Sequence, residues 1–299
     1  MSEIKTMRDR DIKKVSAQQG VAKIFGQVLV YAFLITMAFI VIFPFYWMIM
    51  SSLKTSEEYQ WPIPSLFPQT TIDWHNYVEV FTKPDLQLGQ LMFNTLLVGV
   101  VSTVLSLVIT VLSAFAFARL EFKGKNALFA ALLATMMIPG ELFTITNFQT
   151  ISALDWKNTY TVLIVPFLVS VFYIYLLRQN FLQIPNELYL AAKVDGCGDL
   201  KYLWKVMIPL ALPSIISITI LKMMGAWNSY MWPKLVADDM AHKLITNGLR
   251  DAFKVETDGI PDFPLQMAAV TVVSIPLFLV FVFLRKYIMK GVSRSGIKG

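Results

Sequence analysis

The sequence predicts an all-α membrane protein with six transmembrane helices and both termini on the cytoplasmic side. Three observations predict it: an apolar excess too large for a soluble core, charge-free runs of membrane-spanning length, and a lopsided placement of lysine and arginine. Of 299 residues, 56% are hydrophobic and 15% are charged, and the mean hydropathy is +0.58. Soluble domains carry roughly 45–50% apolar and about 25% charged residues. The composition therefore excludes a disordered chain and argues against a soluble enzyme. The single cysteine, Cys197, excludes an intrachain disulfide framework and a Cys-rich zinc site. The two histidines, His75 and His242, fall in separate loops, which argues against a shared metal site.

The helices follow from where charge is missing. Residues 24–53, 86–118, 158–177 and 263–284 contain none. Each run reaches the ~20 residues needed to cross ~30 Å of hydrocarbon at 1.5 Å per residue. Two further spans hold one charge each, Glu141 within 127–147 and Lys222 within 207–230. Helices are thus expected near 27–50, 89–118, 127–147, 159–178, 207–230 and 264–285. Continuous apolar runs, not alternating ones, favour helices over barrel strands. The first run is longer than the apolar stretch of a signal peptide and no small-residue cleavage site follows it, so it is expected to stay as a helix. The chain then divides into a cytoplasmic segment at 1–26, a first helix at 27–50, an outer loop at 51–88, a five-helix core at 89–286 and a tail at 287–299. Within the core lie a cytoplasmic loop at 179–206 and an outer loop at 231–263.

Orientation follows from the basic residues. Eighteen Lys and Arg fall on the side of the termini, seven on the opposite side, and Lys222 lies within a span. Lys and Arg accumulate on the cytoplasmic side. With acids included, the cytoplasmic side is +11 and the outer loops are −5. The overall charge of +6 is therefore a topology signature; a nucleic-acid footprint needs a clustered basic face, and none is visible. Basic residues near the surface also attract anionic lipid headgroups.

The loop at 179–206 is the most informative stretch. Pro185 suits the first turn of a helix, with Glu187 favourable near its positive end. Ala191 and Ala192 are small enough for another backbone to approach. Gly196 offers a left-handed stop, and Asp199 is placed as the N-cap of a second helix. In that helix Leu200, Leu203, Trp204 and Met207 fall at i, i+3, i+4 and i+7, one apolar face. The pattern is a short helix, a sharp turn and a second helix entering the membrane. Two readings stay open on local physics: a knob that docks into a cytoplasmic partner, or a plain interfacial loop.

These residues carry a family resemblance. Ala191, Ala192, Asp195, Gly196 and Pro209, with 13 residues from Gly196 to Pro209, resemble the Glu-Ala-Ala loop of type I ABC-importer permeases. Leu190 stands where that pattern has its glutamate, and Glu187 lies one turn earlier. Trp227-Asn228 with Pro233 is similar to the end of the fifth helix in carbohydrate permeases, and Ala118-Arg119 through Gly124 to their turn after the second helix. The tail from Lys290 resembles that of the second permease of maltose-type transporters. The resemblance covers roughly residues 27–299. It implies the type I ABC-importer transmembrane fold in the cell membrane. It also implies a homologous second permease subunit, two ATPase subunits and an extracytoplasmic solute-binding protein.

The resemblance assigns ATPase coupling to Glu187, Ala191, Ala192, Asp195, Gly196 and Pro209. It assigns ATPase contacts to Val292, Ser293, Ser295, Gly296 and Lys298 in the tail. It implies that the loop at 231–263 enters the binding protein. No phosphate-cradling Gly-x-x-x-x-Gly-Lys-Ser/Thr run is present, so ATP and magnesium are expected on partner subunits, with no cofactor, metal or catalytic residue in this chain.

Candidate pathway residues are Lys222, Trp227, Asn228 and Asn147. An intramembrane charge usually faces the bundle interior or a water-filled cavity. Lys222 is open to lining the pathway, pairing with Glu141, contacting an anionic substrate group, snorkelling, or sitting in a subunit interface. Asn147, with Thr144, Thr146 and Gln149, suits sugar hydroxyls or interhelical hydrogen bonds. Trp227 and Asn228 suit a sugar ring or an interfacial aromatic belt. Two other classes compete. A stand-alone secondary transporter or channel leaves the loop at 179–206 without purpose. An intramembrane enzyme needs a catalytic pair, and Lys222 with Glu141 is the charged candidate, at discordant depths.

Overall fold

The computed structural model describes residues 2–253 and 262–293. Every regular element among them is helical. Four helices are long and apolar enough to cross a bilayer: the Gly26–Ser52 part of a longer helix, Leu88–Arg119, Asp199–Trp227 and Phe263–Phe283. Two bent pairs, Lys125–Thr135 with Gly140–Ala153 and Tyr160–Phe167 with Val171–Leu182, bring the number to six when each pair is counted as one span.

The bent pairs correct the continuous helices expected over 127–147 and 159–178. The first pair bends by 80° and the second by 45°. Proline causes both. Pro139 sits at ψ 128, outside the helical region, and the residue before a proline is pushed away from α geometry. Pro166 lies in a 3-10 turn, Val165–Phe167. It has no N–H to continue the ladder, and Ser170 is extended before the helix resumes.

The Leu88–Arg119 helix is built inside out. Its buried positions include Asn94, Thr95, Gly99, Ser102, Thr103, Ser106 and Thr110, whereas Val100, Val104, Leu105, Val108 and Leu112 are exposed. A bilayer supplies no hydrophobic drive between helices, so small and hydroxyl side chains line the contacts and large apolar ones face lipid. The Val171–Leu182 and Asp199–Trp227 helices pack on that small-residue side. Gly99 accepts the Met223 thioether there; a Cβ would stand 3.1 Å from its sulfur. The first helix shows the opposite extreme: nothing in its apolar window is buried. A helix apolar on every side needs lipid or another chain around it.

Two further layers close the bundle. Near Asp199, Ala114, Phe115, Leu177, Phe181, Tyr202, Leu203 and Met207 form one core. At the opposite end, Val80, Leu86, Leu91, Trp227, Ile245, Leu265 and Ala268 form another. The segment after the first helix, expected as a loop, is tightly ordered by polar contacts. Buried Glu58 accepts hydrogen bonds from Ser65 Oγ, the Gln69 and Thr70 N–H groups and Thr70 Oγ1. Burial pushes the Glu58 carboxyl up, but these four donors hold it below the usual carboxylate range. Lys54 donates to the Ser65 carbonyl and stands 4.9 Å from the Trp47 ring centroid. Burial pushes its ammonium down, against the opposing pull of Glu58.

Candidate functional site

The loop at 179–206 folds as a helix, a turn and a helix. The first helix, Asn186–Val194, starts after Pro185, which is extended at ψ 135 and stands just outside the helix. Glu187 lies in its first turn. Gly196 ends it at φ +68, a conformation glycine adopts without steric cost. The Gly196 N–H reaches the Lys193 carbonyl at 3.0 Å and the Cys197 N–H reaches the Ala192 carbonyl at 2.8 Å, the paired bonds of a glycine stop.

Two expectations about the second helix are corrected. Asp199 is not its cap: that position is Gly198, with no side-chain hydrogen bond. The Asp199 carboxylate instead reaches back to the first helix. It accepts the Tyr189 hydroxyl at 2.7 Å and pairs with Lys193 Nζ at 2.7 Å. The Tyr189 and Tyr202 rings stand 5.1 Å apart. The bond to Asp199 holds Lys193 above its usual range, and burial with Asp199 beside it raises Tyr189. Both side chains keep their protons at neutral pH, so the clamp between the two helices is intact there.

The second correction concerns the single apolar face. Leu203 and Met207 are buried, but Leu200 and Trp204 are exposed. A π turn at Leu203–Met207 shifts the register: the Ile208 N–H reaches back to the Leu203 carbonyl, and Pro209 has no N–H with which to resume the ordinary ladder. The outcome is a knob whose exposed surface includes Leu188, Leu190, Val194, Leu200 and Trp204, with Val194 87% exposed. Glu187, Ala191, Asp195, Gly196 and Pro209 are also exposed; Ala192 is half-buried and packs on the core.

Two arginines tie the helix that leads into this knob to its neighbour in the bundle. Buried Arg119 donates to the Phe181 and Ile184 carbonyls at the end of the Val171–Leu182 helix. Arg178 donates to the Phe117 carbonyl at the end of the Leu88–Arg119 helix and lies 4.1 Å from the Phe129 ring centroid. Each helix thus lends a cation to the other's negative C-terminal end. Sequence reasoning missed this exchange; the signal was an arginine in the last turns of each of two neighbouring helices, Arg119 at the end of one and Arg178 one turn before the end of the other.

A cavity of about 300 Å³ lies in the half of the bundle away from the knob. Lys222, Ser102, Phe167, Tyr173, Ser229 and Trp232 are among its walls. Lys222 is half-buried, and its Nζ donates to the Phe167 carbonyl. That carbonyl is free because the helix breaks after Phe167, so a cation sits where helix termination leaves an acceptor without a partner. The sequence-level option of a Lys222–Glu141 pair does not occur among the described residues. Glu141 and Asn147 line an adjacent cavity of about 280 Å³, with Phe167 and Trp232 in the wall of both. Those two rings meet edge to face at 5.9 Å.

The other two pathway candidates stand elsewhere. Trp227 is buried in the apolar core with Leu91 and Ala268, and neither it nor Asn228 lines these cavities. The Asn228 amide closes its own helix through the Met224 carbonyl. Trp232, Phe167 and Tyr173, which the sequence did not single out, are the aromatic walls.

The described part of the loop at 231–263 is anchored over these cavities. The Asn94 amide donates to the Ala241 and Lys243 carbonyls, Tyr160 donates to Asn94, and Thr95 Oγ1 accepts the Ile245 N–H. Gly248 packs so closely on Leu91 that a Cβ would overlap its side chain. Of the tail candidates, Val292 and Ser293 lie in the last turn of the Phe263–Ser293 helix; Ser295, Gly296 and Lys298 lie outside the described residues. Among the described residues no group of three or more His, Cys, Asp or Glu is placed to hold a metal ion.

Comparison with known proteins adds the family. Residues 106–294 match the model described as binding-protein-dependent transport system inner membrane component. An arabinooligosaccharides transport system permease protein of Halalkalibacterium halodurans is 30% identical over 263 residues, which cover 88% of this chain and 93% of that protein. An sn-glycerol-3-phosphate transport system permease protein of Yersinia pestis is 27% identical over 86% of this chain and 92% of its own length. In fold, the chain superposes with a TM-score of 0.80 on a chain of a bacterial ABC transporter involved in import of the acidic polysaccharide alginate. The sequence identity there is 23%, with 89% of this chain and 97% of that one covered.

Proposed function

The chain belongs to the family of binding-protein-dependent transport system inner membrane components, and from that membership we propose that it is one permease subunit of an ATP-driven importer for a sugar or oligosaccharide. It forms half of the translocation pathway and pairs with a homologous second permease subunit. Two ATPase subunits hold ATP and magnesium, and an extracytoplasmic solute-binding protein delivers the solute. The chain crosses the membrane six times with both termini cytoplasmic, and its 89–286 core follows a separate first helix. The carbohydrate reading is supported by relatives named for arabinooligosaccharide and sn-glycerol-3-phosphate transport.

The observation that carries the reading is the knob at 186–204. Coupling rests on Glu187, Ala191, Ala192, Asp195 and Gly196 at its tip and Pro209 at its base. The Val292, Ser293, Ser295, Gly296 and Lys298 tail provides a further ATPase contact. When the ATPases close and open, the docked helix Asn186–Val194 moves, and the Asp199 clamp passes that motion to the Asp199–Trp227 helix. Lys222 lies about 35 Å along that helix at 1.5 Å per residue, so displacement at the knob reaches the cavity walls. Such rocking of rigid elements around a fixed site is the common logic of alternating access.

The experiment is co-purification. Ala191 is exposed on the Asn186–Val194 helix, so Ala191→Trp is expected to leave the fold alone and fill the docking face. The variant is expected to lose its ATPase subunits in detergent while retaining the partner permease. ATPases that stay bound and drive uptake normally contradict the proposal.

A further inference from the structure

Lys222 has a cation's needs that the described residues meet only in part. An ammonium offers three donors. One goes to the Phe167 carbonyl, and the Tyr173 ring centroid stands 5.9 Å away. Among the described residues no carboxylate lies within 4.0 Å of it. A charge in a span is costly and is kept where it faces a cavity or a partner group. Here it faces a cavity of about 300 Å³, large enough for a small solute. The rest of the wall is mostly apolar and aromatic, with Ser102 and Ser229 among it. Trp232 and Tyr173 contribute aromatic rings to the wall, and Ser102, whose hydroxyl donates to the Gly99 carbonyl, keeps acceptor capacity for a solute hydroxyl.

We propose that this cavity binds the anionic group, carboxylate or phosphate, of an acidic sugar or polyol, with Lys222 as its counter-charge. The inference rests on the permease reading and narrows its substrate class. The Phe167 carbonyl is the resting partner: it holds Lys222 while the cavity is empty and gives way when an anion arrives, so the cation is never left bare. The helix break at Pro166 is what makes that carbonyl available.

The test uses the assembled transporter with its partner subunits. Lysines are acetylated with a small amine-reactive reagent, and modification of Lys222 is followed by mass spectrometry. Galacturonate and glycerol 3-phosphate serve as acidic probes, galactose and glycerol as neutral controls. At least one acidic probe is expected to slow Lys222 modification several-fold while its neutral counterpart does not; which of the two protects separates carboxylate from phosphate recognition. Equal protection by neutral and acidic probes, or none by any of them, overturns the proposal. In proteoliposomes, Lys222→Met is expected to raise the KM for the protecting acidic solute about 10- to 100-fold, the effect of one charge-assisted hydrogen bond, and Lys222→Arg to restore most of it. Neutral and acidic uptake falling together in Lys222→Met assigns the lysine to the helix break alone and overturns the proposal. A transporter that moves no solute with ATP refutes the permease reading, a result separate from the labelling.

Discussion

Replacing Asp199 with alanine removes the clamp between the knob and the helix that leads to the cavity. Asp199 accepts the half-buried Tyr189 hydroxyl at 2.7 Å and the Lys193 ammonium at 2.7 Å. The lysine contributes little, since its side chain is 43% exposed and that of Asp199 37%, and exposed pairs are screened. The tyrosine bond carries most of the effect. A hydrogen bond to a charged group is worth about 1.5–3 kcal/mol, and partial exposure places this one near the lower end. About 1.5 kcal/mol is roughly tenfold in the population of molecules whose Asn186–Val194 helix is detached from the Asp199–Trp227 helix. Alanine at the first helical position leaves helix propensity intact, so the change reads the clamp. In proteoliposomes the ratio of solute imported to ATP hydrolysed should fall several-fold in Asp199→Ala. Tyr189→Phe should fall less, because the ring contact with Tyr202 survives, and Lys193→Met least. A ratio unchanged in Asp199→Ala, or a larger loss in Lys193→Met than in Tyr189→Phe, refutes the clamp as the element that transmits motion.

Other outcomes follow from the same geometry. Arg119→Met leaves the Phe181 and Ile184 carbonyls without their donor; at about 1.5–3 kcal/mol for each charged bond lost, it should lower the Tm in detergent and speed proteolysis within 179–206. Glu58 titrates below the ordinary carboxylate range. Its stabilisation is therefore full above that range and lost as pH falls through the depressed value. Hydrogen-exchange protection at residues 65–70, taken relative to the intrinsic rate at each pH, should be flat from neutral pH down to the usual carboxylate range and fall only below it, and in Glu58→Gln it should be low at neutral pH.

Helix content and the main apolar segments were legible because they rest on counting: charge-free length and the continuity of apolar runs. Gly196 was legible for the same reason as the stop after Val194, since a left-handed residue at a helix end is nearly always glycine. Most of what escaped was decided by tertiary partners. The bends at Pro139 and Pro166 escaped for a different reason: counting charge-free length takes no account of a missing N–H, so the expected helices ran straight through both prolines. Asp199 looked like a cap because its sequence position fits one; a tyrosine ten residues earlier competes for it. Trp227 and Trp232 are equally aromatic in sequence, yet one is core and the other a cavity wall, a choice made by the helix ending between them. Glu57 and Glu58 are indistinguishable in sequence, and only the fold of 65–70 around Glu58 buries one of them.

The native cysteine offers the most direct test of the central claim, that the knob is cytoplasmic and covered by the ATPases. Cys197 lies in the knob's turn, partly exposed, and is the sole cysteine of the sequence. A membrane-impermeant maleimide should label it in inside-out vesicles stripped of ATPase subunits and fail to label it in right-side-out vesicles. Rebinding the ATPases should protect it. Labelling from the outer face, or equal labelling with and without the ATPases, would contradict the account.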